Sequence, residues 1–227
     1  MSRSFPRTKL PFLQNVVKRA VSMPLTTSSS TPFRPYPLSS SPATKQSSGC
    51  TILYSNPQCV IVNDAFPKSM VHCLVMPLNL ALTSLNVLNS EHVSLLKHME
   101  KAAVEYVQYL RTTEASRLGK RRFIIGFHAL PSLPMLHMHL LSMDLDSACL
   151  KTKKHYNSFT TPFFLTVDRV ISDLEQNGEF TLNKDVDMLR RMEEQNMKCL
   201  WCNRALENIP QMRNHIKECS QNKSLIN

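Results

Sequence analysis

The chain has 227 residues, 42% of them hydrophobic, and its 27 Lys and Arg outnumber 17 Asp and Glu to give a formal net charge of +10. That length holds one domain and an appendage with a real core, and the charge favours a polyanionic partner over a cationic substrate. No apolar run reaches the roughly eighteen residues of a membrane-spanning helix. The seven cysteines, three of them clustered near a histidine, indicate a reducing compartment and metal ligation instead of a disulfide framework.

Residues 1–48 contain no Asp or Glu, while Arg3, Arg7, Lys9, Lys18, Arg19, Arg34 and Lys45 make them basic. From Thr26 to Ser48 the chain is dominated by Ser, Thr and Pro, which bury too little apolar surface to fold, so a disordered leader is expected. Within it, Leu10 to Met23 fits a short amphipathic basic helix. Two readings stand side by side: a mitochondrial transit peptide, and a tail that adds attraction to phosphate backbones.

From Cys50 the texture changes. Thr51–Tyr54 and Cys59–Val62 read as strands around a turn at Ser55-Asn56-Pro57, and Val71–Pro77 as a third. Asp64, in the connection to it, is by itself an ordinary turn residue. His72, likewise, is by itself a satisfied histidine on an apolar strand. Asn79–Thr83 leads into a helix with Ser90 as N-cap and Glu91 in its first turn. Val93, Leu96, Ala103, Val107 and Leu110 keep helical spacing, and the helix is expected to reach about Ser116 with Gly119 as its stop. Lys120-Arg121-Arg122 then opens a strand, Phe123–Phe127.

The most informative stretch is Phe127 to Leu141. In His137-Met138-His139-Leu140-Leu141 imidazoles alternate with apolar side chains, as on a half-buried strand, so His137 and His139 share a face about 6–7 Å apart. Met138, Leu140 and Phe127 then face a core. A Pro-bounded turn delivers His128 and Ser132 nearby. Such a group suits an anion, one ring attacking and another donating or holding a proton. Two strand histidines alone equally describe a polar face or half a zinc site.

Downstream, Lys151, Lys153 and Lys154 form a basic loop interleaved with Tyr156 and Phe159. The lysines would neutralise phosphates without sequence choice, and Tyr156 would stack on a terminal base pair. A lysine run is ordinarily wet surface, but loops after strands commonly carry function. Helices are expected at Val167–Gln176, ending at Asn177-Gly178, and at Lys184–Gln195. Cys199-Leu200-Trp201-Cys202 is then followed by twelve residues, His215, three residues and Cys219. This is zinc-finger spacing, with His215 and Cys219 one helical turn apart; four protein ligands leave no open position, so the site is structural. The expected layout is a basic leader at 1–48, a catalytic domain at 49–168, a helical connector at 169–198, the finger at 199–219 and a tail at 220–227.

His137-Met138-His139-Leu140-Leu141 resembles the histidine-triad (HIT) signature entered at its second histidine, with Met135 at the position of the first. With Gly126–Ser132 and Leu150–Phe159, the similarity is to the aprataxin branch of that family and runs from about Ile52 to Cys219. The resemblance implies an α+β fold, a HIT-type antiparallel sheet with packing helices plus a small C-terminal zinc finger of the Cys-Cys-His-Cys type. The implied activity removes AMP from 5′-adenylated DNA ends left by abortive ligation, through a covalent histidine–AMP intermediate. His137 is then the nucleophile, His128 serves the departing phosphate, His139 and Ser132 hold phosphoryl oxygens, and His72 supports the network. Asp64 would bind the ribose, Val62 and Phe66 the base, and Lys68 would sit near the pocket. One structural Zn2+ on Cys199, Cys202, His215 and Cys219 is implied, with no catalytic metal; the family ends its finger in His where this chain has Cys219. Expected partners are adenylated nicks, with AMP as product and no membrane. The nucleus is the expected location, with the mitochondrion as the alternative through the leader. The stretch before residue 49 is too short for the forkhead-associated domain that many members carry. Two other classes remain: a HIT hydrolase of small AMP conjugates, and a DNA-end-binding protein without catalysis.

Overall fold

The computed structural model describes residues 9–22, 51–182 and 185–219. Its centre is a six-stranded antiparallel sheet of β1 (Ile52–Ser55), β2 (Cys59–Asn63), β3 (His72–Pro77), β4 (Phe123–His128), β5 (Met138–Ser142) and β6 (Phe164–Thr166). The spatial order is β1-β2-β3-β5-β4-β6. The two-residue period of a strand divides the side chains between two faces. Cys59, Ile61, Cys73, Val75, Met138 and Leu140 enter one core together with helices α2 (Val93–Thr113) and α5 (Val167–Asn177). Val60, Val62, Leu74 and Met76 point the other way and pack with Leu13, Val16, Val17 and Ala20 of α1 (Lys9–Ser22). Cover on both faces explains why β2 and β3 read as continuous apolar runs.

Part of the leader is therefore built into the fold, since α1 packs against the sheet; residues 1–8 and 23–48 lie outside the described residues. The N-cap ahead of α2 is Asn89, not Ser90: Asn89 accepts from the Glu91 N–H and forms a capping box with His92, beginning a short 3-10 turn that runs into α2. The helix also breaks earlier than its apolar spacing suggests, at Glu114, before α3 (Ala115–Leu118), and Gly119 ends it with φ 54°. The expected connector packs into the main body. Val167, Val170, Ile171 and Leu174 of α5 belong to the main core, and so does Leu189 of α6 (Val186–Glu194).

Residues 153–155, expected as loop, open α4 (Lys153–Thr160), capped by the Thr152 side chain accepting from His155 N–H. The finger is a two-strand hairpin, β7 (Met197–Lys198) and β8 (Ala205–Leu206), followed by α7 (Ile209–Glu218). Asn208 caps α7, with proline in the first turn where no N–H is missed. Leu141, Met143, Leu150, Tyr156 and Phe159 form one apolar cluster with Met197, Leu206, Met212 and Ile216, so finger and sheet share a core.

Gly126 pairs with His139 on one side and Thr166 on the other. A Cβ there would stand 2.2 Å from the Leu165 carbonyl oxygen and 2.7 Å from the Phe164 ring. Gly126→Ala is therefore expected to destabilise the fold by about 1–3 kcal/mol, the usual range for overpacking. Urea unfolding measures it, and unchanged stability would show that β6 yields freely.

Candidate active site and zinc centre

Four imidazoles meet on the sheet face opposite the main core. His72 begins β3, His139 lies on β5 opposite Leu74, His137 immediately precedes β5, and His128 ends β4. Ring centroids of His137 and His139 are 5.0 Å apart, those of His72 and His139 5.2 Å, and those of His128 and His139 4.3 Å. His72, His137 and His139 are each 5% exposed, so substrate entry requires an opening at the rim of the cluster.

The hydrogen bonds assign the protons. The Lys68 backbone N–H donates to Nδ1 of His72 at 3.1 Å, which leaves the ring proton on Nε2. That N–H donates to Nδ1 of His139 at 2.9 Å, so the proton of His139 sits on its own Nε2. Nε2 of His139 is buried and without a partner, a donor available to a ligand. His137 is set the opposite way: its Nδ1–H donates to the Met135 carbonyl at 2.7 Å, and Nε2 keeps a lone pair. Nε2 of His128 is also buried and unpartnered.

Burial holds all four rings neutral. It pushes His72 down to about 4, against the opposing pull of Asp64, and pushes His128 and His139 well below the ordinary histidine value. His137 is lowered by burial too, with the bond to Met135 and the Asp64 charge acting the other way. Asp64 Oδ2 lies 3.6 Å from His72 Nε2, and Oδ1 accepts the Phe66 N–H at 2.7 Å. Asp64, His72 and His139 bring potential ligand atoms within 4.8 Å of one another. The Lys68 N–H on Nδ1 keeps the His72 proton on Nε2, where a metal would need a lone pair, so His72 and His139 form a hydrogen-bonded relay with Asp64 beside it.

The structure brings the four rings together and places several other expected residues differently. Tyr156 is fully buried and its hydroxyl donates to the Lys198 carbonyl at 2.9 Å, so it is a core residue and cannot stack on DNA. Val62 is also fully buried, packed in the cluster that α1 covers, and offers no surface to a base. Phe66 is 49% exposed and does. Lys68 is half-buried, its ammonium donating to the Phe66 carbonyl. Ser132 stands exposed on the bend before β5 with no hydrogen bond to the imidazoles. Lys151 and Lys153 are exposed, whereas Lys154 pairs with Glu193 at 2.8 Å. Sequence reasoning missed two features: the Met135 carbonyl, which no residue type signals, and Phe159, whose ring lies 4.6–5.4 Å from those of His72, His128 and His139. A cleft of about 310 Å3 lies away from the rings, lined by Lys120, Arg122, Trp201, Arg213 and Lys217 among others.

Cys199, Cys202, His215 and Cys219 converge in the finger, their ligand atoms within 4.8 Å of one another. The Cys199 and Cys219 sulfurs are 3.9 Å apart, and the Cys202 sulfur is 3.2 Å from His215 Nε2. A tetrahedral zinc with Zn–S near 2.3 Å and Zn–N near 2.0 Å spaces such atoms by roughly 3.5–3.8 Å. The four groups thus fit one structural zinc, which closes the hairpin onto α7.

Neutral buried imidazoles make stability depend on pH with a definite sign. Between the unfolded value near 6.5 and the lower folded values, the unfolded chain binds more protons, so stability falls as pH falls. Each ring contributes a slope of up to about 1.4 kcal/mol per pH unit in that window. Urea titrations at pH 7 and pH 5 should show the loss, and His139→Gln should flatten it. Equal stability at both values would contradict the neutral cluster.

Residues 41–155 match the family model described as "Scavenger mRNA decapping enzyme C-term binding", and residues 160–222 match "C2HE / C2H2 / C2HC zinc-binding finger". An aprataxin of Danio rerio is 38% identical over 165 residues, covering 73% of this chain and 48% of the relative. An aprataxin-like protein of Schizosaccharomyces pombe is 30% identical, covering 74% of this chain and 73% of the relative. A crystal structure of the aprataxin orthologue Hnt3 in complex with DNA superposes with a TM-score of 0.59 at 26% identity, covering 77% of this chain and 88% of that one. The chain spans about half the length of the Danio rerio and Gallus gallus aprataxins. The four-imidazole face and the finger of three cysteines and one histidine are thus found in a chain that belongs to the histidine-triad-like family of the scavenger decapping model, among its aprataxin-like members.

Proposed function

We propose that this protein is a DNA-repair hydrolase that removes AMP from 5′-adenylated DNA ends. The observation that carries the reading is the orientation of His137. Its Nδ1–H is held by the Met135 carbonyl, and its Nε2 lone pair is free to attack phosphorus. Support for a DNA substrate comes from the net charge of +10, the exposed Lys151 and Lys153, and the likeness to an Hnt3 structure that contains DNA.

In the first step Nε2 of His137 attacks the α-phosphorus of the adenylate, forming a P–N bond as the P–O bond to the DNA 5′-phosphate breaks. The Nε2–H of His139 donates to a non-bridging oxygen as charge gathers there, its direction fixed by the relay from Lys68 through His72. His128 serves the departing 5′-phosphate, and Ser132 reaches the phosphoryl group from the bend when the site opens. Water then cleaves the P–N bond, releasing AMP and restoring the imidazole. Asp64 binds the ribose hydroxyls, Lys68 the pocket edge, and Phe66 stacks on the base. The leaving phosphate makes a catalytic metal unnecessary, and zinc serves to fold the finger.

His137→Ala is expected to abolish AMP release from an adenylated nick, by at least about 10³-fold as for loss of other nucleophiles, with duplex affinity retained. Gel assays of nick deadenylation and of binding separate the two. A variant that still forms AMP at the parental rate would remove His137 from this role.

A further inference from the structure

We propose that Phe159 is a positioning residue for the histidine cluster, and that α4 couples that cluster to the zinc finger. The ring of Phe159 touches three of the four imidazoles, edge-on to His72 at 5.4 Å and to His139 at 5.3 Å, and tilted on His128 at 4.6 Å. Those three are the rings that Met135 does not orient, and two of them, His128 and His139, carry a buried unpartnered Nε2. An aromatic ring packed against each imidazole limits its rotation and keeps water from the relay. Phe159 itself is 5% exposed and has no polar atom, so it acts only through the rings it abuts.

The rest of α4 is tied to the finger and to α6. Tyr156, one turn before Phe159, donates its hydroxyl to the carbonyl of Lys198, the residue preceding the zinc ligand Cys199. Asn157 donates to the carbonyls of Glu193 and Gln195, and Lys154 pairs with Glu193 at 2.8 Å. Tyr156 and Phe159 also share an apolar cluster with Met197, Cys199 and Cys219. A change at the zinc ligands thus reaches the imidazoles through one short rigid helix.

The coupling is independent of the adenylate reading; only the activity measurement below rests on it. In the zinc-loaded chain, Phe159→Leu keeps the site apolar but removes the ring edges. Imidazole 15N resonances of His72 and His139 should lose their fixed tautomer pattern. On an adenylated nick, kcat should fall by about 10- to 100-fold, as for misplaced catalytic groups, with KM changed far less. Chelating zinc from the parent chain should shift the same resonances, and Tyr156→Phe should reduce that shift while zinc content stays at one per chain. Imidazole resonances unmoved by Phe159→Leu overturn the positioning role. Imidazole resonances unmoved by chelation, while finger resonances change, overturn the coupling. Histidine resonances that respond while no AMP is released by the parent chain would leave the coupling standing and refute the proposed function instead.

Discussion

One backbone hydrogen bond fixes the chemistry of this face. The amide of Lys68 donates to His72 Nδ1, and from that bond the tautomers of His72 and His139 both follow. Moving the His72 proton to Nδ1 would set two donors against each other, the Lys68 amide and that N–H, an arrangement that burial makes costly. The loop from Asp64 to Lys68 is itself pinned, with Asp64 N–H donating to the His72 carbonyl and Asp64 Oδ1 accepting from Phe66. The segment that would meet the nucleotide is therefore the one that sets the ring protons.

Neutrality of the imidazoles and their orientation come from the same burial. A ring in water would be partly protonated near neutral pH, and a protonated His137 has no lone pair. Enclosure by Phe159, Phe164 and the sheet lowers proton affinity at all four positions. Neutral rings can then be ordered by weak bonds without carrying a buried charge. Cover on both faces is what the enclosure needs: α2 and α5 on one side, α1 and the finger on the other.

Much of this was legible in the sequence because it rests on short-range periodicity. The alternation from His137 to Leu141 placed two rings on one face, and the spacing from Cys199 to Cys219 identified all four zinc ligands. What escaped depended on tertiary partners. Tyr156 reads as a surface aromatic among lysines, yet it is buried in one apolar cluster with Met197 and Leu206. Val62 reads as an open wall because the strand pattern does not say that α1 lies on it. The hairpin β7–β8 and strand β6 are two or three residues long, too short for periodicity to show.

The substitution at Met135 fits the same division between side chain and backbone. The family resemblance places a histidine there, and its replacement does not disorient His137, since the bond that holds His137 comes from the residue's carbonyl. The side chain is thereby freed for packing, and it is buried with Leu13, Val16, Val17 and Met76 in the cluster beneath α1. A histidine in that apolar surrounding would need its own polar partner, whereas methionine fills an irregular gap without one. Docking of α1 and the methionine at position 135 are in this sense compatible: the helix finds an apolar seat next to the site, and the Met135 carbonyl still orients His137.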